Sequence, residues 1–544
     1  MNTITFTTAL AVVGSLVLRP LALAHPGDHA HAPWEPTPYA AAAAHAPSPL
    51  PDRVVLTWTG DPATSQAVTW RTDPSVKRAV AELAIANDNG RALRPATHPA
   101  RTTVFTSDLS TAHYHTVTFA GLDPDTLYAY RVGDGVNWSE WFHFRTAQRE
   151  PAPFTFVYFG DAQNEIKTHW SRVFREAFRG APRAAFTLHA GDLVNRADRD
   201  AEWGEWFGAP AWVNGTIPVI ATPGNHEYVR VGAGPETDRL WTTRDGRDLQ
   251  VEITLEVEGE ANAPTGYRVE ARTATVTARI RLDPDRRFVA VDDAFTTLTG
   301  YTLADLAGTR ANQAPLHDRQ AVRGQSQLSA HWRTQFAFPD HGPAGIEETA
   351  YYVDYQGARI ISLNSMEKQE EQAAWLRRVL SHQPQRWTIL TFHHPVFSPA
   401  LNRDNPRLRE LWKPIFDEFK VDLVLTGHDH TYARSGDRPA TVGTANVPTG
   451  YQQAYDPAIG TVYVVSVSGP KMYGSGASAW AVRVAEDTQL YQIITVNHHE
   501  LHYEARTPTN RLYDQFTLRK RDGQPNLLLE ILPPENRRPP AAAP

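Results

Sequence analysis

The sequence contains no cysteine, and this absence removes three kinds of chemistry. Disulfide bonds, thiolate metal ligands and lipid attachment to an N-terminal cysteine are all excluded. Long hydrophobic runs are also missing, because no segment holds about 20 consecutive apolar residues, the length that a membrane-spanning helix needs. We therefore expect no membrane span, and any metal ion must be bound by groups other than thiolates.

Strong charge of one sign is absent as well. Charged residues make up 21% of the chain, the net charge is −7, and neither a basic stripe nor a block of like charges occurs. Because nucleic-acid binding relies on clustered Lys and Arg, we expect no nucleic-acid partner. The composition leaves small substrates of either charge open and does not indicate an oligomeric state. The 544 residues suffice for roughly three or four domains.

The first 24 residues have the pattern of a signal peptide. An apolar segment at residues 9–18 is followed by Ala22-Leu23-Ala24, a small-residue cleavage pattern. We therefore expect an exported protein, periplasmic or secreted. Residues 25–50 are rich in His, Ala and Pro, a composition that cannot bury a core, and we interpret them as a linker. A loose metal-binding tail is the alternative.

Residues 51–147 have the pattern of an all-β domain. Short alternating segments such as 66–70 and 127–132 are separated by turn signals such as Gly60-Asp61-Pro62. This spacing predicts a β-sandwich of about a hundred residues. The run from Gly121 to Tyr130 resembles the end of a fibronectin type III-like domain.

From residue 150 onward, buried strands alternate with amphipathic helices. Six apolar segments predict strands: 154–159, 185–188, 218–221, 359–363, 387–392 and 421–425. We predict a layered α/β catalytic domain over residues 150–520 and a tail at 521–544. Residues 238–327 interrupt the pattern with mostly β segments, and we interpret them as an inserted module, of which residues 283–308 faintly resemble a PAS sensor domain.

Five polar clusters follow predicted strands of the α/β region. They are Gly160-Asp161-Ala162-Gln163, Gly191-Asp192-Leu193-Val194-Asn195, Gly224-Asn225-His226-Glu227, His393-His394-Pro395 and Gly427-His428-Asp429-His430. Open α/β sheets bind their ligands at the carboxyl ends of strands, so we expect these clusters to meet. Glycine opens every cluster except the one at His393, which lets the backbone approach closely.

The residue types in these clusters are those of a dinuclear hydrolytic metal site. Carboxylates can bridge two cations, neutral imidazoles bind iron, manganese or zinc, and an amide oxygen adds a ligand without adding charge. Two metal ions can activate water and hold the oxygens of a substrate. One Gly-Asp or Gly-His-x-His segment alone would be an ordinary turn, but five such clusters in this order are not expected by chance.

These clusters resemble the motifs of calcineurin-like metallophosphoesterases, and with the preceding sandwich the most similar family is the purple acid phosphatases. The resemblance implies an α+β fold, an αββα sandwich, preceded by the fibronectin type III-like domain. It implies two metal ions, of Fe, Zn or Mn, and hydrolysis of small phosphate esters. Asp161, Asp192 and His430 would bind one metal, and Asp192 would bridge to a second metal bound by Asn225, His393 and His428. Asp192 and His226 are the implied catalytic residues, and His226 would contact the phosphate and protonate the leaving oxygen.

Two positions depart from the family pattern. The family's second motif normally ends in an iron-binding tyrosine, and Asn195 stands there. Related phosphoesterases supply a histidine two residues after the first aspartate, and Gln163 stands there. Iron(III) is therefore less favoured and a divalent metal becomes plausible, with Gln163, Asn195 or water completing the first metal.

The predicted function is that of an acid phosphatase acting on phosphomonoesters. The alternatives are a phosphodiesterase of the same superfamily and a non-catalytic extracytoplasmic binding or sensory protein that uses the insert. A full set of metal ligands together with His226 favours the enzyme.

Overall fold

The fold is known from a computed structural model of the chain. It describes residues 39–232, 238–260, 263–320, 324–401, 403–437, 454–475 and 480–530. The predicted signal peptide and most of the predicted linker lie outside these ranges. No helix within them has the length and apolar composition to cross a bilayer.

The N-terminal region is a sandwich of two antiparallel four-stranded sheets. After a short helix, α1 (Ala41–Ala44), its strands are β1 (Asp52–Thr57), β2 (Ser65–Thr72), β3 (Val80–Ile85), β4 (Ala96–Pro99), β5 (Arg101–Thr106), β6 (Thr111–Ala120), β7 (Leu127–Gly133) and β8 (Phe142–Arg145). The sheet orders are β1-β2-β6-β5 and β4-β3-β7-β8. Side chains such as Trp70 and Tyr130 fill the space between the sheets.

The last residues of the predicted linker are attached to this sandwich. The His45 carbonyl accepts a hydrogen bond from Arg71 at 3.1 Å, and the His45 ring lies against Gly204.

The α/β region starts with β9 (Phe154–Phe159), α2 (Ser171–Gly180), β10 (Thr187–His189), α3 (Asp200–Gly208), β11 (Val219–Ala221) and β12 (Tyr228–Val231). The insert then contributes β13 (Asp238–Thr242), β14 (Asp248–Glu260), β15 (Ala263–Arg272), β16 (Thr277–Leu282), β17 (Phe288–Val291), α4 (Asp293–Thr299), α5 (Leu303–Leu306) and β18 (Arg319–Gln320). These six strands form a separate sheet that packs on α4 and α5 around its own apolar core. The insert is joined to the body through an antiparallel pair, β12 with β19 (Gln325–Leu328).

After the insert the chain adds α6 (Ala330–Gln335), β20 (Tyr351–Tyr355), β21 (Ala358–Ser362), α7 (Gln369–Ser381), β22 (Trp387–Phe392), α8 (Pro406–Glu418), β23 (Leu423–Thr426), β24 (Tyr432–Ser435), β25 (Val462–Val465), β26 (Ala481–Ala485), β27 (Tyr491–Val496), β28 (Glu500–Arg506), β29 (Leu512–Arg521) and β30 (Gln524–Glu530). One seven-stranded sheet has the order β11-β10-β9-β27-β28-β29-β30, and the other β20-β21-β22-β23-β25-β24-β26.

The two seven-stranded sheets pack face to face, with helices on their outer faces. On β22, Ile389 points into the core between the sheets, whereas Leu390 and Phe392 point to α7 and α8. On β9, Phe159 stacks on Phe174 of α2 at 5.3 Å, while the Tyr158 hydroxyl donates to the Thr426 carbonyl of the opposite sheet. These alternating contacts explain why both central strands read as continuous apolar runs.

The predicted tail at 521–544 is corrected at its start. The chain turns at Gly523, which has a φ of +69°, and returns as β30 along β29. Asn526 on β30 donates to Asp422 at 2.6 Å, and Glu530 accepts from the buried Arg434 at 2.6 Å. The edge of the sheet therefore extends to Glu530. The sequence did not predict this strand, because its polar residues Asn526 and Glu530 are buried or paired only through contacts with residues far away in the chain.

A buried ion cluster joins the sandwich to the α/β region. Arg53 of β1 contacts Asp200, the first residue of α3, at 2.7 Å, and Arg71 of β2 contacts the same carboxylate at 3.3 Å. All three side chains are almost fully buried. Since removing one partner would leave a buried charge uncompensated, the cluster holds α3 firmly against the sandwich.

Candidate metal centre

The predicted metal ligands come together where the carboxyl ends of parallel strands from both sheets meet. Strands β9, β10 and β11 run parallel in one sheet, and β22 and β23 run parallel in the other. The residues that follow them are, in the same order, Asp161, Asp192, Asn225 with His226, His393, and His428 with His430. The six predicted ligands and His226 thus lie at one edge of the fold.

Two groups of potential ligands share Asp192. In one, Asp161, Asp192 and His430 offer atoms within 4.8 Å of one another, and in the other, Asp192, His393 and His428 do so. Asn225 belongs to the second side, because its Oδ1 lies 3.2 Å from His393 Nε2. A carboxylate shared by two ligand groups is the arrangement that a pair of bridged cations requires.

The potential ligand atoms suit cations because their lone pairs face one another. Nδ1 of His430 lies 2.8 Å from the Lys471 carbonyl and therefore donates, which leaves the lone pair of Nε2 facing Asp161 Oδ2 at 3.1 Å. Likewise, His393 Nδ1 donates to the Ala190 carbonyl, and its Nε2 faces Asp192 Oδ2 at 3.2 Å. Lone pairs this close repel unless a positive charge lies between them, so these residues suit metal ions.

The electrostatics of the centre agree with this fit. Burial acts to lower the pKa of His393, but the carboxylates of Asp192 and Asp161 outweigh it and raise that pKa to about 9. Their negative charge therefore favours a positive charge at Nε2, which is a proton in the absence of metal and would be a metal ion in its presence. Burial, followed by the nearby His393, lowers the pKa of His428 and keeps it neutral, which is the form that binds metals.

The backbone of the centre is strained and tightly packed. Asp192 and His428 both have positive φ, +49° and +70°, a conformation that side-chain-bearing residues rarely adopt. A Cβ on Gly427 would lie 2.2 Å from Asp161 Oδ1, so only glycine fits there. In return, the N–H groups of His428 and His226 donate to Asp161 and Asp192 at 2.7 and 2.9 Å.

Glu227 is a buried carboxylate that holds two ligand loops together. It accepts hydrogen bonds from the N–H groups of Asp192 and Leu193 at 2.8 Å and from that of Gly224 at 2.7 Å. Burial and the charge of Asp192 raise its pKa to about 8. The sequence motif contained Glu227, but its role became visible only from these contacts.

His226 lies beside the shared carboxylate without being part of either ligand group. Its Nε2 is 3.9 Å from Asp192 Oδ2, and about a quarter of its side chain is exposed. Its Nδ1 donates to the Asn195 carbonyl at 2.6 Å. The exposed Nε2 can therefore face a substrate.

Of the two departures from the family pattern, Gln163 lies at the centre. Its amide nitrogen is 2.9 Å from Asp192 Oδ2 and 3.0 Å from His430 Nε2, and its buried Oε1 has no hydrogen-bond partner. A rotated amide would present that oxygen to the first ligand group. Asn195 takes part through its main chain, since its N–H donates to Glu202 and its carbonyl accepts from His226.

Three residues that the sequence reasoning missed border the centre. The Tyr473 ring lies 4.5 Å from the His430 ring, with the guanidinium carbon of Arg403 5.2 Å and the Lys471 ammonium 5.6 Å from its centroid. We call Arg403, Lys471 and Tyr473 the cationic rim. Residues 469–475 follow β25, a neighbour of β23, so the same strand-end rule points to them, although they contain no His or Asp.

Comparison with known proteins agrees with this centre. Family sequence models match residues 51–146, as "Purple acid Phosphatase, N-terminal domain", and residues 154–271 and 317–432, as "Calcineurin-like phosphoesterase". Together these models match more than half of the chain.

Individual relatives are more distant. An uncharacterised protein of Mycobacterium tuberculosis is 28% identical over 149 residues, which cover 24% of this chain and 28% of that protein. An acid phosphatase of Aspergillus ficuum is 23% identical over 381 residues, 59% of this chain and 60% of that enzyme. The chain thus spans less than two thirds of the length of these relatives. The solved purple acid phosphatase PPD1 of yellow lupin shares the fold, with a TM-score of 0.57 at 17% identity over 86% of this chain and 74% of that one.

The chain belongs to the calcineurin-like metallophosphoesterase superfamily, a class of metal-dependent hydrolases. Because its N-terminal sandwich matches the corresponding domain of purple acid phosphatases, it is a purple acid phosphatase-like member of that superfamily.

Proposed function

We propose that the protein hydrolyses phosphate esters with two metal ions and acts as an acid phosphatase on phosphomonoesters. The observation that carries the proposal is the position of Asp192, which belongs to both ligand groups while His226 Nε2 lies 3.9 Å from its carboxylate. Ligands for two cations and a proton donor beside them are what phosphoester hydrolysis needs.

Each residue has a role in this proposal. Asp161, Asp192 and His430 hold the first ion, and Asp192, Asn225, His393 and His428 hold the second. Two such ions supply an activated water and positive charge for the phosphoryl oxygens. His226 contacts the phosphoryl group and gives its Nε2 proton to the leaving oxygen, since its Nδ1 proton is held by the Asn195 carbonyl.

The metal identity follows from the donor set. Imidazoles and carboxylates suit Fe, Zn and Mn, and the first site lacks the phenolate that favours iron(III). We infer a divalent ion there, with the Gln163 amide oxygen as an additional ligand. Its buried Oε1 without a hydrogen-bond partner supports this inference.

The turnover of p-nitrophenyl phosphate and of bis(p-nitrophenyl) phosphate tests the function. The protein is stripped of metal and assayed after Fe, Zn or Mn is added back, alone and in pairs. We expect metal-dependent turnover of the monoester to exceed that of the diester. Preference for the diester would make the protein a phosphodiesterase, and no turnover with any metal would contradict the proposal.

Three narrower inferences accompany this function. We infer that residues 1–24 direct export, so that the enzyme works in the periplasm or outside the cell. We infer that residues 51–147 are a fibronectin type III-like domain. The insert at about 238–327 restricts the size of substrates, because its first connecting strand, β12, starts two residues after His226.

A further inference from the structure

The cationic rim lies on two loops that are fastened to each other and to the metal centre. Ala400 and Ser475 form an antiparallel bridge, and the Leu401 N–H donates to the Gly474 carbonyl at 3.1 Å. The Tyr473 N–H donates to the His430 carbonyl at 2.9 Å. The rim is therefore positioned by main-chain contacts and not merely by long side chains.

The two cations of the rim differ in how their charge is balanced. Arg403 Nε lies 2.9 Å from Asp429 Oδ1, a buried carboxylate, and another guanidinium nitrogen contacts His428. The lysine ion pairs within the described ranges join Lys413 to Asp417 and Lys520 to Asp422, and Lys471 takes part in neither. The positive charge of Lys471 is thus not balanced by a carboxylate within the described ranges, although the net charge of the chain is −7.

Lys471 is also more constrained than an ordinary surface lysine. Its carbonyl accepts from His430 Nδ1 at 2.8 Å, and its ammonium lies over one aromatic ring. The first contact fixes the main chain at Lys471, and the second limits the directions that its side chain takes. The arrangement suits a substrate with two anionic groups, one at the rim and the other, a phosphoryl group, at the metal centre.

We propose that the cationic rim binds a second anionic group of the substrate, adjacent to the phosphoryl group that is cleaved. This inference rests on the proposed function and names the substrate class of the same site. The Lys471 ammonium offers a compact charge, and the Arg403 guanidinium, two of whose nitrogens contact Asp429 and His428, still offers the N–H groups of Nη1. Both kinds of donor suit a phosphoryl or carboxylate group. Substrates of this class are diphosphates and phosphate esters of hydroxy acids, whereas esters of uncharged alcohols leave the rim empty.

The experiment compares matched substrates in Lys471→Gln and the unchanged protein. Phenyl phosphate carries no second anion, 4-carboxyphenyl phosphate carries a carboxylate, and pyrophosphate carries a second phosphoryl group. We expect Lys471→Gln to lower kcat/KM for the two-anion substrates about tenfold more than for phenyl phosphate, the scale of one lost charge contact. Lys77→Gln, an exposed lysine of the sandwich, is the matched control and leaves the ratios unchanged.

The arms of the comparison distinguish the second group. A selective loss for pyrophosphate assigns a phosphoryl group, and a selective loss for 4-carboxyphenyl phosphate assigns a carboxylate. Unchanged ratios for both substrates in Lys471→Gln overturn the inference. Arg403→Gln is a second variant, assayed together with its metal content because the guanidinium contacts His428.

A binding measurement separates this inference from the proposed function. Calorimetry with imidodiphosphate, which is not hydrolysed, and with inorganic phosphate needs no turnover. We expect Lys471→Gln to weaken imidodiphosphate binding about tenfold more than phosphate binding. If no ester is hydrolysed but this difference in binding is found, the proposed function is wrong and the inference about the cationic rim is supported. If esters are hydrolysed and the difference in binding is absent, only the inference about the cationic rim is wrong.

Discussion

The Nδ1 atom of His226 donates a hydrogen bond to the main-chain carbonyl of Asn195 at 2.6 Å. The N–H of Asn195 donates to Glu202 of α3 at 2.6 Å. The carbonyl that orients the imidazole of His226 therefore belongs to a residue that is itself fixed to a helix. The residue that stands in place of the family's iron-binding tyrosine therefore acts through its backbone. Because the carbonyl can only accept, the other ring nitrogen of His226 is the one available to a substrate.

Replacing His226 tests this orientation. We expect His226→Ala to keep both metals and to slow turnover by about 10² to 10⁴, the usual contribution of a general acid. The loss should be smallest for p-nitrophenyl phosphate, whose leaving group needs no proton, and largest for an alkyl phosphate. Equal losses for both esters would refute the assignment, and the exposed His498→Ala is the control.

Glu227→Gln tests whether the buried carboxylate positions the ligand loops. One oxygen of Glu227 accepts from the N–H groups of Asp192 and Gly224, and the other accepts from that of Leu193. An amide has only one acceptor oxygen, so these three N–H groups would not all be satisfied. We expect a metal affinity about 10- to 100-fold weaker, as for other outer-shell partners of metal ligands. Competition with a chelator measures the affinity, and a thermal unfolding curve shows that the variant is folded. An unchanged affinity would mean that Glu227 serves only the fold.

Asp192→Ala should remove both metal ions. The two ligand groups share this carboxylate, and without it two cations at close range would repel each other. Elemental analysis of the purified variant gives the number of ions per chain. Asp198→Ala, an exposed aspartate of the following loop, is the matched control. Two ions retained in Asp192→Ala would contradict the bridging role.

Removing the insert should leave the metal centre intact. Val231 of β12 pairs with Gln325 of β19, so a short turn can replace residues 232–324 without moving either strand. The insert has its own core, and closing a shorter loop costs little entropy. We expect unchanged metal content and a raised ratio of turnover for large phosphate esters relative to small ones. An unchanged ratio would show that the insert does not overhang the site.

The colour of the iron-loaded protein tests the first ligand group. A phenolate bound to iron(III) gives an intense visible band, and Asn195 cannot supply one. Tyr228 does not supply a phenolate either, because its hydroxyl donates a hydrogen bond to Glu367 at 2.6 Å. We expect a colourless or faintly yellow protein by absorption spectroscopy. A purple band lost in Tyr473→Phe would mean that this residue, whose ring lies 4.5 Å from that of His430, reaches the metal.

The ligand clusters were visible in the sequence because their signals are local. Each predicted ligand lies within four residues of the end of a buried strand. Parallel strands bring such positions to one edge of the fold. The strand predicted at 387–392 has the bounds of β22, and that at 154–159 has the bounds of β9. Apolar runs of this kind are easily recognised in a sequence because both faces of each strand are buried.

Contacts between distant residues were not visible. Lys471 and Arg403 meet at Tyr473 because two loops from different strands are bridged, and no sequence pattern encodes that meeting. The antiparallel strands after residue 480 were missed for a similar reason. They alternate buried and half-buried side chains, and their pairing with β9 spans most of the chain.

That pairing has a consequence for how the protein is made. Strand β9, which ends two residues before Asp161, lies between β10 and β27, and β27 ends only at Val496. The ribosome must therefore synthesise the chain as far as Val496 before β9 can pair with β27. Contacts of such long sequence separation form slowly. Strand β9 has both of its neighbours only after β27 has been synthesised, so we expect the metal centre to be completed late in folding.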